Sequence, residues 1–323
     1  MTSQSEETSH ASLTPIQREC AELLRAKQYK SCEMVASLEL SRTEKANQPA
    51  ALLLEILGDC AQATQQYKRA ISYYRRASLQ HHVMGRSPLS EAKLRCKEAQ
   101  CLSSLGSVVE ASGVLEIVPA KMRTLGMCMT LGHLYVATGR HSDASRMFLD
   151  ALSLNPYALE AVEWLAILGA DRNVVLEVAE KALVAKSGSD VDTSSVLPVV
   201  DIVSAHFLMH RHQSKLALDH FVKLEKQFPN NVYLLLKIAT LQLHMSDDAG
   251  AELTFARIRQ LDENNVECMD QYAQLFQRRN ALADLNRLSA DLLEIDDKRP
   301  EAWVCLALYH EARNDHEKAI GMF

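Results

Sequence analysis

Glycine and proline are scarce in this chain of 323 residues, which contains 11 of the first and 8 of the second. Average usage would give about 23 glycines and about 16 prolines in a chain of this length. Sandwiches, barrels and doubly wound sheets need these residues for their many tight turns. Hydrophobic residues at 47% and charged residues at 24% are sufficient for a folded interior. The composition therefore predicts a folded, all-helical protein.

Long runs of positive charge and of apolar residues are also absent. The chain has 35 Lys and Arg against 41 Asp and Glu, with no basic stripe of the kind that nucleic-acid binding requires. No apolar run approaches the roughly 18 residues of a membrane helix. We therefore predict neither a nucleic-acid partner nor a membrane span, and we expect the Ser-, Thr- and Glu-rich residues 1–12 to form a disordered leader.

The eight cysteines contain no C-x-x-C pair and no regular secreted framework. We interpret them as reduced thiols, most of them apolar core residues, in a protein of the nucleus and cytoplasm. Glycines occur singly, so no phosphate cradle is indicated and no cofactor is predicted.

A repeated helical motif is what the sequence does contain. Its best copy reads Leu131-Gly132-x-x-Tyr135, then Ala144-x-x-x-Phe148, Ala151 and Pro156. This is the spacing of a tetratricopeptide repeat, a pair of antiparallel helices. Gly132 and Ala144 are small so that the two helices can cross closely, and Gly139 is expected in the turn between them.

The motif recurs with the period of 34 residues that tetratricopeptide repeats have. In the C-terminal half, repeats begin at Pro198, Val232, Val266 and Pro300. Upstream, looser copies begin at about residues 13, 51, 92, 125 and 159. The predicted fold is an all-α tetratricopeptide-repeat (TPR) α-solenoid, a superhelix of helix-turn-helix units.

The repeats suggest two arrays. An N-terminal helical array spans 13–185 and contains a loop at 81–90, and a C-terminal array spans 196–323. A flexible insertion at 186–195 separates them. The last repeat ends at Phe323, partway through its second helix, so we expect the chain to be a fragment of a longer protein.

The sequence contains few candidate residues for a catalytic or metal site. His206, His210 and His212 could place two ligands on one helix face, but no further ligand lies nearby in sequence. We interpret these histidines as polar surface residues and not as a metal site. We predict that the chain is not an enzyme. The alternative is a cryptic site at these histidines.

The first helix of each repeat should line a concave groove, with positions 2, 5, 9 and 12 directed into it. These positions are polar and lean acidic at both ends of the array. The interpretation is either a solvated face or a shallow groove for a peptide that carries Arg or Lys. The predicted protein-binding residues are Glu55, Asp59, His133, His206, Asp270 and Gln274.

A closer resemblance rests on four segments. These are Ala92-Lys-Leu-Arg-Cys-Lys-Glu-Ala-Gln-Cys101, Val114-Leu-Glu-Ile-Val-Pro119, the LGHLY at 131–135, and Asn155-Pro-Tyr-Ala-Leu-Glu-Ala161. Together with the order of the repeats, they resemble the family of subunit 7 of the anaphase-promoting complex.

This resemblance implies a non-catalytic scaffold subunit of a cell-cycle ubiquitin ligase that acts on mitotic cyclins and securin. It also implies other TPR subunits of the complex as partners, and a homodimer formed through the N-terminal repeats. The alternative is a generic TPR adaptor or a cochaperone. A cochaperone clamp needs a Lys/Asn/Arg ladder on the inner helices, and the groove positions offer one Lys and no Asn.

Overall fold

The computed structural model describes residues 14–45, 50–83, 88–187 and 198–322. Within these residues it contains eighteen α-helices, one short 3-10 helix at Ala120–Met122 and no strand. The first nine helices are α1 (Pro15–Arg25), α2 (Tyr29–Lys45), α3 (Ala51–Ala63), α4 (Tyr67–Val83), α5 (Pro88–Ser104), α6 (Val108–Glu116), α7 (Leu125–Ala137), α8 (His141–Leu154) and α9 (Leu159–Ile167).

The other nine are α10 (Arg172–Ser187), α11 (Val199–His210), α12 (Ser214–Gln227), α13 (Val232–His244), α14 (Asp248–Leu261), α15 (Met269–Arg278), α16 (Leu282–Ile295), α17 (Pro300–Ala312) and α18 (His316–Ile320). In sequence order, these helices give the nine expected helix-turn-helix units. The all-α TPR solenoid is confirmed. The predicted leader at 1–12 lies outside the described residues.

Close helix crossings hold each pair together at the positions that the motif predicts. A Cβ atom added to Gly132 would lie 2.5 Å from Cε1 of Phe148, and one added to Gly58 would overlap the ring of Tyr74. Phe148 and Tyr74 are fully buried. Tyr74 occupies in its repeat the position that Phe148 has in its own, and both are core residues. Glycine is required where each ring meets the facing helix.

The turn between the two helices of a pair is the most regular feature of the array. In eight of the nine repeats the fifteenth residue has a positive φ, which allows the chain to reverse within a few residues. These residues are Lys27, Gln65, Gly106, Gly139, His212, Ser246, Asn280 and Asn314. In the repeat from Leu159 the positive φ falls on Gly169 instead, because α9 has only nine residues.

Replacing Gly139, which has φ +74°, tests how much this turn contributes to stability. Gly139→Ala should lower the free energy of unfolding by about 1 kcal/mol, since a Cβ is strained in the left-handed region. Gly113→Ala is the matched control, because Gly113 lies within α6 and a Cβ there meets no atom within 4 Å. The control should be neutral or slightly stabilising in the same denaturant titration. A loss in Gly113→Ala equal to that in Gly139→Ala would refute the role of the turn.

Salt bridges connect second helices of neighbouring repeats. Arg76 contacts Glu44 at 2.7 Å, and Arg257 contacts Glu225 at 2.9 Å. Each partner lies 32 residues away in sequence, close to one repeat. These pairs are largely exposed, so each contributes at most about 1 kcal/mol. Their equal spacing in sequence reflects the regular register in which these repeats stack.

The structure leaves less room for a loop than the expected span of 81–90. Helix α4 continues to Val83 and α5 already begins at Pro88, so only residues 84–87 lie outside the described part of this region. The polar residues of 81–90 suggested a loop, but a helix begins within this segment. The ring of proline is preorganised for the first position of a helix. Pro88 starts a helix instead of breaking one.

The structure separates into two compact bodies, Met1–Trp164 and Leu165–Phe323. This boundary differs from the expected division at 186–195. The helix before that segment, α10, packs against α11, which follows it, so both belong to the C-terminal body. Of the predicted insertion at 186–195, residues 188–195 lie outside the described residues.

Candidate protein-binding surface

Two of the predicted groove residues, Glu55 and Asp59, are joined by a lysine from the next repeat. Lys97 Nζ lies 2.8 Å from Oε1 of Glu55 and 2.7 Å from Oδ1 of Asp59. The hydroxyl of Tyr74 donates a hydrogen bond to Asp59 Oδ1 at 2.8 Å. Lys97 was not among the predicted residues, because it lies outside positions 2, 5, 9 and 12 of its repeat.

This network decides the charge at the N-terminal end of the surface. Burial lowers the pKa of Lys97, but Glu55 and Asp59 outweigh that effect and hold the pKa above its ordinary value. The ammonium group is therefore charged and neutralises one of the two carboxylates. The acidic end predicted from Glu55 and Asp59 carries about one negative charge instead of two.

His133 lies beside a cavity in the N-terminal body. The cavity, of about 470 Å³, is bounded by α5 and α7. The ring of His133 meets those of Phe148 and Trp164 edge to face, with centroids 5.5 and 5.4 Å away. Its Nε2 lies 3.1 Å from Oε1 of Glu160, and its side chain is 38% exposed. His133 is accessible to a ligand, but its orientation is fixed by these contacts.

His206 does not lie on an open surface, and its predicted position in the groove is corrected. The residue is 1% exposed. Its Nε2 lies 2.6 Å from the hydroxyl of Tyr233, and its ring meets that of Phe221 edge to face. Tyr233 is the second residue of the following repeat, and this bulky side chain covers the histidine. His206 is a buried core residue with a polar partner.

Asp270 and Gln274 lie one turn apart on α15 and are both half-buried. Burial raises the pKa of Asp270, backbone hydrogen bonds act in the opposite direction, and the nearby charge of Glu301 on α17 raises it further. No lysine or arginine contacts Asp270 within 4 Å among the described residues. The acidic character expected for this end of the surface stays a prediction.

Asp270→Asn should raise the free energy of unfolding at pH 7. The folded-state pKa of Asp270 lies above its unfolded value, so the ionised carboxylate destabilises the fold above the unfolded pKa. That cost disappears as the pH falls and both states become protonated. Denaturant titrations of the two proteins should diverge at pH 7 and converge near pH 3. A variant that is less stable than the wild type at pH 7 would contradict this assignment.

No three His, Cys, Asp or Glu side chains of the described residues come together as a metal site, and the histidines at 206, 210 and 212 form no such cluster. Six of the eight cysteines are buried, which confirms their prediction as core residues. Burial raises the pKa of Cys20 and Cys101 to about 11, so both are protonated thiols at neutral pH.

Across 14–45, 50–83, 88–187 and 198–322, no helix combines the length and the apolar character that crossing a bilayer requires.

Comparison with known proteins agrees with the repeat assignment. The tetratricopeptide repeat family model matches residues 125–157, the repeat that carries the clearest motif. A tetratricopeptide repeat protein from Parabacteroides merdae superposes with a TM-score of 0.53 at 15% sequence identity, covering 91% of this chain and 97% of that one. This likeness shows the fold.

Two curated relatives point to one family. The chain is 29% identical over 315 residues to Anaphase-promoting complex subunit 7 of Arabidopsis thaliana, covering 90% of this chain and 55% of the relative. It is 28% identical over 218 residues to the Homo sapiens protein of the same name, covering 67% of this chain and 37% of the relative. The chain thus spans about half the length of the curated relatives it matches, or less. The resemblance found in the sequence is confirmed: this tetratricopeptide-repeat chain is similar to subunit 7 of the anaphase-promoting complex.

Proposed function

We propose that the chain acts as a scaffold subunit of the anaphase-promoting complex, a cell-cycle ubiquitin ligase, and that it has no catalytic activity of its own. The observation that carries this proposal is the similarity to subunit 7 relatives across 90% of the chain. A solenoid of helix pairs suits a scaffold, because it presents an extended surface to several partners at once.

The surface chemistry supports binding in place of catalysis. The carboxylates of Glu55 and Asp59 are held by Lys97, and the described cysteines with raised pKa values are not nucleophiles. Partner peptides bind along the first helices, where no described lysine or arginine forms an ion pair with Asp270 beside Gln274. A basic segment from another TPR subunit of the complex has the complementary charge.

The proposal includes a homodimer through the N-terminal repeats, supported by an exposed apolar patch on α2. Met34 and Leu38 lie one turn apart on this helix and are 62% and 74% exposed. Large apolar side chains this exposed and adjacent are typical of a surface that a partner covers. An interface around them would be isologous, with the same patch on both copies.

Size-exclusion chromatography with light scattering tests the homodimer. The wild-type chain should have twice the mass of the monomer, and the double variant Met34→Glu with Leu38→Glu should have the mass of one chain. The matched control, Leu216→Glu with Leu253→Glu, changes two exposed leucines of the C-terminal body and should remain dimeric. A wild-type monomer at tens of micromolar, or a dimer that both double variants leave intact, would exclude this interface.

Affinity purification tests membership of the complex. The chain is tagged at its own locus in the source cell, and proteins that co-purify are identified by mass spectrometry. Other TPR subunits of the anaphase-promoting complex should be recovered, and the tagged chain should be found in the nucleus and cytoplasm, as its free thiols support. Recovery of none of those subunits would refute the proposal.

A further inference from the structure

A cleft of about 760 Å³ lies between second helices of two adjacent repeats in the C-terminal body. Helices α14 and α16 form its walls, and α15 forms its floor through Tyr272 and Phe276. This size falls within the range of about 300–1,000 Å³ that is typical of ligand-binding cavities. Asp270 and Gln274 do not line the cleft, so it is separate from the first-helix surface.

Helix α15, which forms the floor of the cleft, begins late in its repeat. Helices α13 and α17 begin at Val232 and Pro300, the first residues of their repeats, but α15 begins at Met269, the fourth residue of its own. Cys268 precedes it with φ 60°, a conformation that cannot continue a helix. The connecting chain before α15, including Glu263 and Asn264, borders the cleft.

The floor of the cleft is aromatic and offers one free hydrogen-bonding group. The ring of Tyr272 stacks on that of Phe255, with centroids 5.1 Å apart, and contacts that of Phe276 at 4.5 Å. Leu288 and Ile295 add apolar surface from α16. The Tyr272 hydroxyl has no hydrogen-bond partner within the part of the chain that the structure describes. It is therefore available to a ligand.

The rim of the cleft is acidic. Four carboxylates line it, against the two guanidinium groups of Arg259 and Arg287. Arg259 Nη2 lies 3.4 Å from Oδ2 of Asp291, so this cation is already engaged. Arg287 remains to balance the other three carboxylates, which belong to Glu263, Asp284 and Glu294.

We propose that this cleft binds an extended segment of a partner protein that carries large apolar side chains flanked by arginine or lysine. The apolar side chains pack against Tyr272, Leu288 and Ile295, where they are removed from water. The flanking cations pair with Asp284 and Glu294 on the rim, and the Tyr272 hydroxyl donates to a main-chain carbonyl of the segment. This site depends neither on the first-helix surface nor on membership of a particular complex.

The probe is a fluorescein-labelled peptide with the sequence Arg-Arg-Gly-Leu-Phe-Gly-Arg-Arg. Fluorescence anisotropy with the full chain measures its affinity, and methyl NMR of Leu288 and Ile295 locates it. The rim variant is Asp284→Lys with Glu294→Lys, and the matched control is Asp219→Lys with Glu180→Lys. The control makes the same change of net charge at exposed acidic residues of the same body that lie outside the cleft.

We expect saturable binding, shifts of both methyl resonances, and an affinity at least tenfold weaker in the rim variant than in the control. A second variant, Tyr272→Phe, keeps the aromatic floor and removes the hydroxyl, so it should fold normally and bind about three- to tenfold more weakly. Replacing the Leu-Phe of the peptide by Ala-Ala should abolish binding. The proposal is overturned if the peptide does not bind, if the rim and control variants weaken binding equally, or if the methyl resonances do not shift.

Discussion

Gly132→Leu is expected to lower the free energy of unfolding of the N-terminal body by about 3 kcal/mol. A Cβ atom at this position already lies 2.5 Å from Cε1 and 2.6 Å from Cζ of Phe148, which is itself fully buried. The leucine side chain must displace either this ring or the helix that carries it. Because repeat arrays stabilise each repeat through its neighbours, the loss should spread to the adjacent repeats.

Gly126→Leu is the matched control for this prediction. Gly126 lies on the same helix, α7, and a Cβ there meets no atom within 4 Å. This replacement should be neutral or stabilising, since leucine favours the helix over glycine by nearly 1 kcal/mol. Native-state hydrogen exchange of the α7 and α8 amides measures both proteins. Equal protection in the Gly132→Leu protein and the wild type would show that the proposed helix crossing is wrong.

Lys97→Met should destabilise the N-terminal body by about 2–3 kcal/mol at pH 7. The change leaves the carboxylates of Glu55 and Asp59 close together without their shared cation. Breaking a fully buried pair costs about 3–5 kcal/mol, and this network is partly exposed to solvent, so a smaller loss is expected.

Two further variants separate the network from other effects of the change. Lys93→Met removes an exposed lysine from the same helix and should cost less than about 0.5 kcal/mol. Adding Glu55→Gln and Asp59→Asn to Lys97→Met should recover most of the lost stability, because no uncompensated charge remains. A Lys97→Met protein as stable as Lys93→Met in urea at pH 7 would show that the network is not structural.

The fold could be predicted from the sequence because its main contacts are local. Gly132, Ala144 and Phe148 lie within seventeen residues and are all needed for one helix crossing, so their spacing alone indicates the pair. The positive φ of Gly139 follows from the same spacing. The late start of α15 was not predictable in this way, because Cys268 carries no residue-type signal for its left-handed conformation.

The surface was less predictable because its state depends on residues from a neighbouring repeat. Position within the repeat placed Glu55 on the first-helix surface, but its salt bridge comes from Lys97, 42 residues further on. The same rule placed His206 on that surface, where Tyr233 of the next repeat covers it. A periodic pattern indicates which way a side chain points, but not which side chain of the adjacent repeat reaches it.

Quantitative mass spectrometry tests the proposed scaffold role most directly. The anaphase-promoting complex is purified from the source cell through a different, independently tagged subunit. A scaffold subunit should be present in a constant ratio to that subunit across preparations, and an even number of copies per complex is expected if it enters as a homodimer. Absence of the chain from the purified complex, or recovery at trace levels that vary between preparations, would contradict the proposed role.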